Sequence, residues 1–113
     1  MSRRILIVDD DRDMVRTLCD IFSLRGWDTD AAYSGDEAIK AQKAGAYDRV
    51  LMDIKMPGLD GMAAYKSLSR LFPKLPVVLM TAHRVADVEH TSARVVTKPL
   101  DLPALFSMLE TQA

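Results

Sequence analysis

Short apolar runs alternate along the chain with longer segments in which apolar residues recur at helical spacing. The runs predict five β-strands, at residues 5–8, 28–32, 49–53, 77–81 and 94–97. The segments between them predict helices at residues 12–25, 35–44, 61–71 and 101–111, with a short fourth helix near residues 85–91. Such alternation is typical of a parallel sheet with helices on both faces, which is an α/β fold.

Strand composition predicts the order of the strands. The first, third and fourth runs, ILIV, VLM and VVLM, are almost wholly apolar, as expected for strands covered on both faces. The second and fifth runs, DTDAA and RVVT, contain polar residues and predict edge strands. This favours a flavodoxin-like (βα)5 doubly wound parallel sheet of order 2-1-3-4-5, with a shortened fourth helix. Ligands of such sheets bind beyond the carboxyl ends of the strands, near strands 1 and 3.

Two helix starts carry capping signals. Ser34 and Glu37 have the S-x-x-E spacing of a capping box. Asp101 is suited to be the N-cap of the last helix, and Pro103 falls in the first turn, where proline is tolerated. The single cysteine, Cys19, lies among apolar residues of the first helix, so we expect a small core side chain and no internal disulfide.

Composition narrows the class of protein. The 113 residues suit one domain, which we assign to residues 1–113, and the formal net charge of −1 provides no basic field for nucleic acid or an anionic membrane. The longest apolar runs, of about four residues, are far shorter than the ~20 that a spanning helix needs. One cysteine fits a reducing compartment. We therefore expect a cytoplasmic domain that binds neither nucleic acid nor membrane directly.

Polar side chains collect where the central strands end. Asp9 and Asp10 follow strand 1, Asp53 ends strand 3, Thr81 ends strand 4 and Lys98 follows strand 5. Like charges about 4 Å apart repel by ~1 kcal/mol in water and ~4 kcal/mol near a protein surface, and a hard cation relieves that repulsion. Carboxylates without a neighbouring imidazole or thiolate favour Mg²⁺, with Mn²⁺ possible.

Each of these features also has a simpler interpretation. The run Asp9–Asp11 resembles a cap cluster at a helix N-terminus, which the helix dipole favours. Asp53 before Pro57-Gly58 is a common turn pattern. Lys98-Pro99 by itself is most simply a solvated strand exit. The functional hypothesis depends on all of them meeting at one edge of the sheet.

The motifs at these strand ends resemble those of a known family. ILIVDDD, LRGWDTDAAYSGDEAI, VLMDIKMPGLDG, VVLMTA and TKPLDLPAL occur in the order found in receiver domains of bacterial two-component response regulators, the CheY-like superfamily, over residues of about 4–110. The resemblance implies a switch that accepts a phosphoryl group from a histidine kinase or a histidine phosphotransfer protein. It also implies that the domain is not an enzyme and assists only its own phosphorylation and dephosphorylation.

The resemblance also implies roles for individual residues. Asp53 corresponds to the phosphoacceptor. Asp10 would bind Mg²⁺ directly and Asp9 through water, and a carboxylate oxygen of Asp53 and the backbone carbonyl of Lys55 would complete the protein ligands. The side chain of Lys55 could shield the phosphoryl group from water or simply be solvated, and we leave both open.

Two further positions are assigned from the same resemblance. Thr81 would donate a hydrogen bond to the phosphoryl group, and Lys98 would form a salt bridge with it. The Lys98–Pro99 peptide bond would be cis, which an X-Pro bond permits at a cost of ~0.5–1 kcal/mol.

The sequence departs from the family in the region that transmits the signal. Val95 stands where the family usually has an aromatic switch residue, so the usual coupling of that residue to Thr81 is in doubt. The segment 82–92 is short, and we expect it to be mobile and to become ordered on phosphorylation. His83 and His90 in this segment are expected to be solvent-exposed.

Two other functions on this fold compete with the switch. A flavin mononucleotide module would need N–H donors for a phosphate after strand 1, where this chain has three carboxylates. A phosphatase with an Asp53 nucleophile would need a second acid near it, and Lys55 stands there instead. The downstream effector stays unknown, and we expect a monomer or a weak homodimer. Trp27, at the amino end of strand 2, should be a poor reporter of metal binding.

Overall fold

The computed structural model describes residues 3–45, 47–83 and 93–111. Its strands are β1 (Arg4–Val8), β2 (Asp28–Ala32), β3 (Arg49–Asp53), β4 (Val77–Thr81) and β5 (Arg94–Thr97). The helices in these ranges are α1 (Arg12–Leu24), α2 (Gly35–Gly45), α3 (Gly61–Leu71) and α4 (Leu102–Thr111). These elements agree with the predicted ones to within one residue at each end. The predicted short helix near 85–91, the expected ordering of segment 82–92 beyond residue 83, and His90 lie outside the described residues.

The five strands form one parallel sheet of order β2-β1-β3-β4-β5, as the strand compositions predicted. The last paired residues of β1 and β3 are Val8 and Met52. One step further along the same register, Asp9 lies opposite Asp53. The carboxylates at the ends of β1 and β3 therefore lie side by side at the carboxyl edge of the sheet.

Alternate residues of the central strands fill two cores, one on each face of the sheet. Leu6, Val8 and their neighbours pack with α2 and α3, while Ile5, Ile7 and theirs pack with α1 and α4. This burial on both faces explains the unbroken apolar runs. Cys19 is half-buried against the second core, as expected for a small apolar side chain.

Carboxylates and hydroxyls cap the helices that begin at the carboxyl edge. Asp11 accepts a hydrogen bond from the Met14 amide at 3.1 Å, and Asp60 accepts one from the Ala63 amide at 2.9 Å. The predicted caps are confirmed: Ser34 accepts a bond from the Glu37 amide, and Asp101 accepts one from the Ala104 amide. These bonds satisfy amides that have no partner within their own helix.

The opposite, amino edge carries a cluster of charged and aromatic side chains. The Glu110 carboxylate on α4 forms ion pairs with Arg25 and Arg3 and accepts a hydrogen bond from the Trp27 indole. The Trp27 side chain is buried here, with the Arg3 guanidinium 4.6 Å from the centre of its ring. Among the helices in the described ranges, none is long and apolar enough to cross a membrane.

Candidate functional site

Two buried carboxylates form the centre of the site. Asp9 is 1% exposed and directly follows β1, and Asp53 is 6% exposed and is the last residue of β3. A charge in such surroundings is costly unless it has a partner. The Asp9 carboxylate accepts a hydrogen bond from the backbone amide of Asp11 at 3.1 Å. This bond joins the end of β1 to the cap of α1.

Lys98 connects the two carboxylates. Its ammonium lies 3.0 Å from Asp9 Oδ2 and 3.0 Å from Asp53 Oδ1. The residue follows β5, whose backbone is joined to β4 by a 2.7 Å bond from the Lys98 amide to the Thr81 carbonyl. The Lys98–Pro99 peptide bond is cis, the isomer that the resemblance implied.

The surroundings raise the pKa of both Asp53 and Lys98. Burial raises the pKa of Asp53 above its ordinary value, and the charges of Asp9 and Asp10 act in the same direction, while Lys98 opposes them. Burial disfavours the Lys98 ammonium, but its hydrogen bonds to Asp53 and Asp9 outweigh burial, so the pKa of Lys98 is raised. The pocket therefore retains a cation beside carboxylates whose mutual repulsion is only partly relieved.

A third carboxylate completes the acidic group. Asp9, Asp10 and Asp53 each offer an oxygen within 4.8 Å of the others, and Asp10 is exposed to solvent. Oxygen donors at this spacing, open to water on one side, fit Mg²⁺, which keeps several of its waters. The donor set therefore suits the cation that the sequence predicted, and it includes all three predicted carboxylates.

Thr81 and Val95 lie on the neighbouring strands β4 and β5. Thr81 is buried at the end of β4, and its hydroxyl oxygen accepts a 3.0 Å hydrogen bond from the backbone amide of His83. The side chain of His83 is exposed, as expected. Val95 is half-buried against the core under α2 and α3.

The loop 54–60 borders the site between β3 and α3. The Gly61 amide donates a 2.8 Å hydrogen bond to the Ile54 carbonyl, and the Ile54 amide donates one of 2.9 Å to the Met80 carbonyl. Lys55 is exposed, and both roles considered for its side chain remain open. Gly58 has φ +75°, a left-handed conformation that glycine adopts without strain.

Two backbone contacts are among those of this site that the sequence did not predict. The Asp11 amide bond to Asp9 and the His83 amide bond to Thr81 each involve a backbone group, whose direction depends on how the loop turns. The acidic run Asp9–Asp11 indicated a cap at the start of α1, which Asp11 forms, but not the contact of its amide with Asp9. Both bonds hold site oxygens in place before any ligand arrives.

The comparisons with known proteins identify the class. The family model described as "Response regulator receiver domain" matches residues 5–110, so the chain belongs to that family. Its function is that of a phosphotransfer switch in two-component signalling, and the acidic pocket of Asp9, Asp10 and Asp53 fits a site with an aspartate phosphoacceptor.

One curated relative and one solved protein illustrate the similarity. The chain is 38% identical over 107 residues to the regulatory protein AtoC of Escherichia coli K12, covering 90% of this chain and 23% of AtoC. The response regulator protein TrrA of Thermotoga maritima, solved in complex with Mg²⁺-BeF, superposes with a TM-score of 0.88 at 29% identity, over 96% of each chain.

A second structure of TrrA shows it in complex with the histidine kinase ThkA, and this chain covers 96% of that TrrA chain at 29% identity with a TM-score of 0.87. The chain spans less than half of the length of the curated relatives AtoC, FleR and TcrA.

Proposed function

We propose that Asp53 is the phosphoacceptor of this receiver domain. The observation that supports this most directly is its carboxylate, buried at the end of β3 and held 3.0 Å from the Lys98 ammonium beside Asp9 and Asp10. A carboxylate oxygen of Asp53 forms the new bond to phosphorus as the bond between phosphorus and the donor breaks. Burial is the main cause of the raised pKa of Asp53, and the charges of Asp9 and Asp10 add to it, so its carboxylate needs a cation beside it.

In this proposal Asp10, Asp53 and the carbonyl of Lys55 would hold the cation directly, and Asp9 would act through water. The acidic group fits Mg²⁺, and TrrA was solved with Mg²⁺-BeF; no such comparison supports Mn²⁺. When bound, Mg²⁺ neutralises charge on the phosphoryl oxygens. The protein side chains fix the positions of the oxygens around it.

Thr81 and Lys98 contact the phosphoryl group in this proposal. The Lys98 ammonium already pairs with Asp53 and moves onto a phosphoryl oxygen with little change in position. The Thr81 hydroxyl lies at the end of the neighbouring strand and has a hydrogen to donate, since its oxygen accepts from the His83 amide. Phosphoryl transfer depends mainly on such positioning and neutralisation.

The phosphoryl donor is a histidine kinase or a histidine phosphotransfer protein, since TrrA was solved in complex with a histidine kinase. We propose residues 1–113 as a single receiver domain that is located in the cytoplasm and assists only its own phosphorylation and dephosphorylation.

Neither competing function gains support from the site. At the α1 N-terminus, which would have to bind a flavin phosphate, the Asp11 amide donates to Asp9 and the Met14 amide donates to Asp11 instead. The phosphatase hypothesis still lacks a second acid in the position of Lys55, whose side chain is exposed.

The test is phosphorylation of the purified chain by acetyl phosphate with Mg²⁺, followed by intact-mass analysis. We expect one added phosphoryl group on the wild type and none on Asp53→Asn, because the amide cannot form the acyl phosphate. Asp28→Asn, an exposed carboxylate at the amino edge, is the matched control and should be labelled normally. Undiminished labelling of Asp53→Asn would refute the assignment.

A further inference from the structure

Two glycines contact the backbone of loop 54–60 at distances that leave no room for a side chain. A Cβ atom on Gly61 would lie 2.8 Å from the Ile54 Cα at the start of the loop and 2.0 Å from the Asp53 carbonyl oxygen that precedes it. One on Gly35 would lie 2.4 Å from the Leu59 carbonyl oxygen. Cβ atoms in proteins essentially never come within 3.0 Å of such atoms. At both positions the backbone would have to shift to admit even alanine.

The two contacts hold opposite ends of the same loop. The start of the loop is joined to the sheet through the Ile54 amide and to α3 through the Ile54 carbonyl, which accepts a bond from the Gly61 amide. The end of the loop is fixed by Asp60, which caps α3. Gly35 belongs to a different helix, α2, and presses on the loop next to that cap.

Helix α2 has little room to move away from the loop. The same Cβ position on Gly35 lies 3.1 Å from the Cβ atom of Ala64, which is fully buried on α3. Further along α2, Ala38 is also fully buried in the core. A larger residue at position 35 therefore displaces the loop and α2 together rather than moving α2 alone.

We propose that Gly35 is a positioning residue for the phosphorylation site, acting through the Leu59 carbonyl on loop 54–60 and thereby on the carbonyl of Lys55. This inference rests on the function proposed above, in which that carbonyl binds Mg²⁺. Mg²⁺ demands near-ideal octahedral geometry, so a donor displaced by a few tenths of an ångström binds it less well. Close packing of a helix that carries no cation ligand thus determines the geometry of the donors.

The experiment compares Gly35→Ala with Gly45→Ala by calorimetric titration of the metal-free chain with Mg²⁺. We expect Gly35→Ala to weaken Mg²⁺ binding by roughly tenfold, the scale of changes in residues that support metal ligands. Gly45→Ala is a matched control, because its Cβ would lie 2.7 Å from the Tyr47 ring at the far end of the same helix. It should bind Mg²⁺ like the wild type.

Phosphorylation provides a second measurement. With acetyl phosphate, Gly35→Ala should be labelled slowly at limiting Mg²⁺ and at nearly the wild-type rate at saturating Mg²⁺. A defect that persists at saturation in step with lost thermal stability would show a general structural role and would overturn the proposal. Equal Mg²⁺ affinities of Gly35→Ala and the wild type would overturn it as well.

The wild type and Asp10→Asn separate this inference from the proposed function. If the wild type binds no Mg²⁺, both fail. If the wild type binds it, Asp10→Asn does not and Gly35→Ala binds normally, only the role of Gly35 fails. Should Gly35→Ala not fold, hydrogen exchange of the wild type decides: Mg²⁺ should slow exchange at the Gly35 and Leu59 amides, and unchanged rates would overturn the proposal.

Discussion

At the scale of single residues, Lys98 provides the positive charge that compensates the buried carboxylates of Asp9 and Asp53. The Lys98 side chain is 22% exposed, and its ammonium lies 3.0 Å from each of two carboxylates whose side chains are 2% and 9% exposed. Replacing it would leave both carboxylates buried without their cation. Such a loss costs more than removal of a surface ion pair, because the carboxylates cannot recover their hydration.

We therefore predict that Lys98→Met lowers the free energy of unfolding by roughly 1–3 kcal/mol in metal-free buffer. Mg²⁺ should restore part of this loss, since a divalent cation can neutralise the same carboxylates. Urea denaturation with EDTA and with Mg²⁺ measures both effects. Lys74→Met, which removes an exposed lysine, is the control, and equal losses in the two variants would contradict the prediction.

The residues of the site differ in how far the sequence could predict them. Asp9, Asp10 and Asp53 follow from apolar runs that end in acids, because parallel strands bring their carboxyl ends to one edge. The two bonds of Lys98 could not be derived from its position after β5 alone, since a loop lysine is usually solvated. The contact of Gly35 with Leu59 depends on how α2 lies on the loop, which no local pattern contains.

At the scale of elements, Glu110 holds the end of α4 against the turn that follows α1. Its carboxylate pairs with Arg25, accepts a hydrogen bond from the Trp27 indole and lies 3.5 Å from Arg3. The hydrogen bond to Arg25 has the largest effect in lowering the pKa of Glu110 below its ordinary 4.5, and Trp27 and Arg3 contribute in the same direction. Because the side chains of Arg25 and Arg3 are 48% and 41% exposed, solvent screens part of the attraction.

The lowered pKa of Glu110 predicts how the free energy of unfolding depends on pH. A carboxyl with a lowered pKa in the folded state stabilises the fold above its ordinary pKa, and the contribution is lost as the pH falls through the folded-state value. We expect Glu110→Gln to cost about 1 kcal/mol at pH 7 and pH 5, with the difference from the wild type narrowing below pH 4.5. Urea denaturation across this range measures it.

The exposed carboxylate of Asp20 on α1 supplies the control for this series. Asp20→Asn should leave the free energy of unfolding within about 0.5 kcal/mol of the wild type at every pH, as surface substitutions usually do. A constant deficit of Glu110→Gln down to strongly acid pH would show that the contact depends on packing instead of charge.

The elements were predicted better than the contacts between their ends. Apolar runs and capping residues such as Ser34 and Asp101 are local signals, and they located strands and helices within one residue. The pairing of Arg25 with Glu110 joins residues 85 positions apart, and nothing in either neighbourhood indicates it. The same holds for the Tyr47 hydroxyl, which donates a 2.6 Å hydrogen bond to Asp30 on β2.

At the scale of the whole molecule, the carboxyl and amino edges of the sheet carry different groups of side chains. The carboxylates and Lys98 lie at the carboxyl edge, whereas Trp27 and Glu110 lie at the amino edge. A strand of five residues spans roughly 17 Å, so the indole is well separated from the acidic group. Parallel strands make this separation unavoidable, because all of them end on the same side.

Intrinsic fluorescence should therefore be insensitive to the cation in the native state. We predict that saturating Mg²⁺ leaves the emission of Trp27 nearly unchanged, whereas Glu110→Gln, which alters the partner of the indole, changes it without any metal. Titrations of the wild type and of Asp10→Asn make the comparison. Strong quenching by Mg²⁺ in the wild type alone would show that the two edges communicate.

Because the Trp27 indole is far from the acidic group, its emission can report unfolding separately from ligand binding. A ligand that binds only the folded chain raises the free energy of unfolding by an amount that depends on its concentration relative to its dissociation constant. Since the chain has a single tryptophan, the denaturation curve of its emission follows unfolding without a contribution from occupancy. The shift of that curve with Mg²⁺ or beryllofluoride concentration would thus yield their affinities from a residue that touches neither.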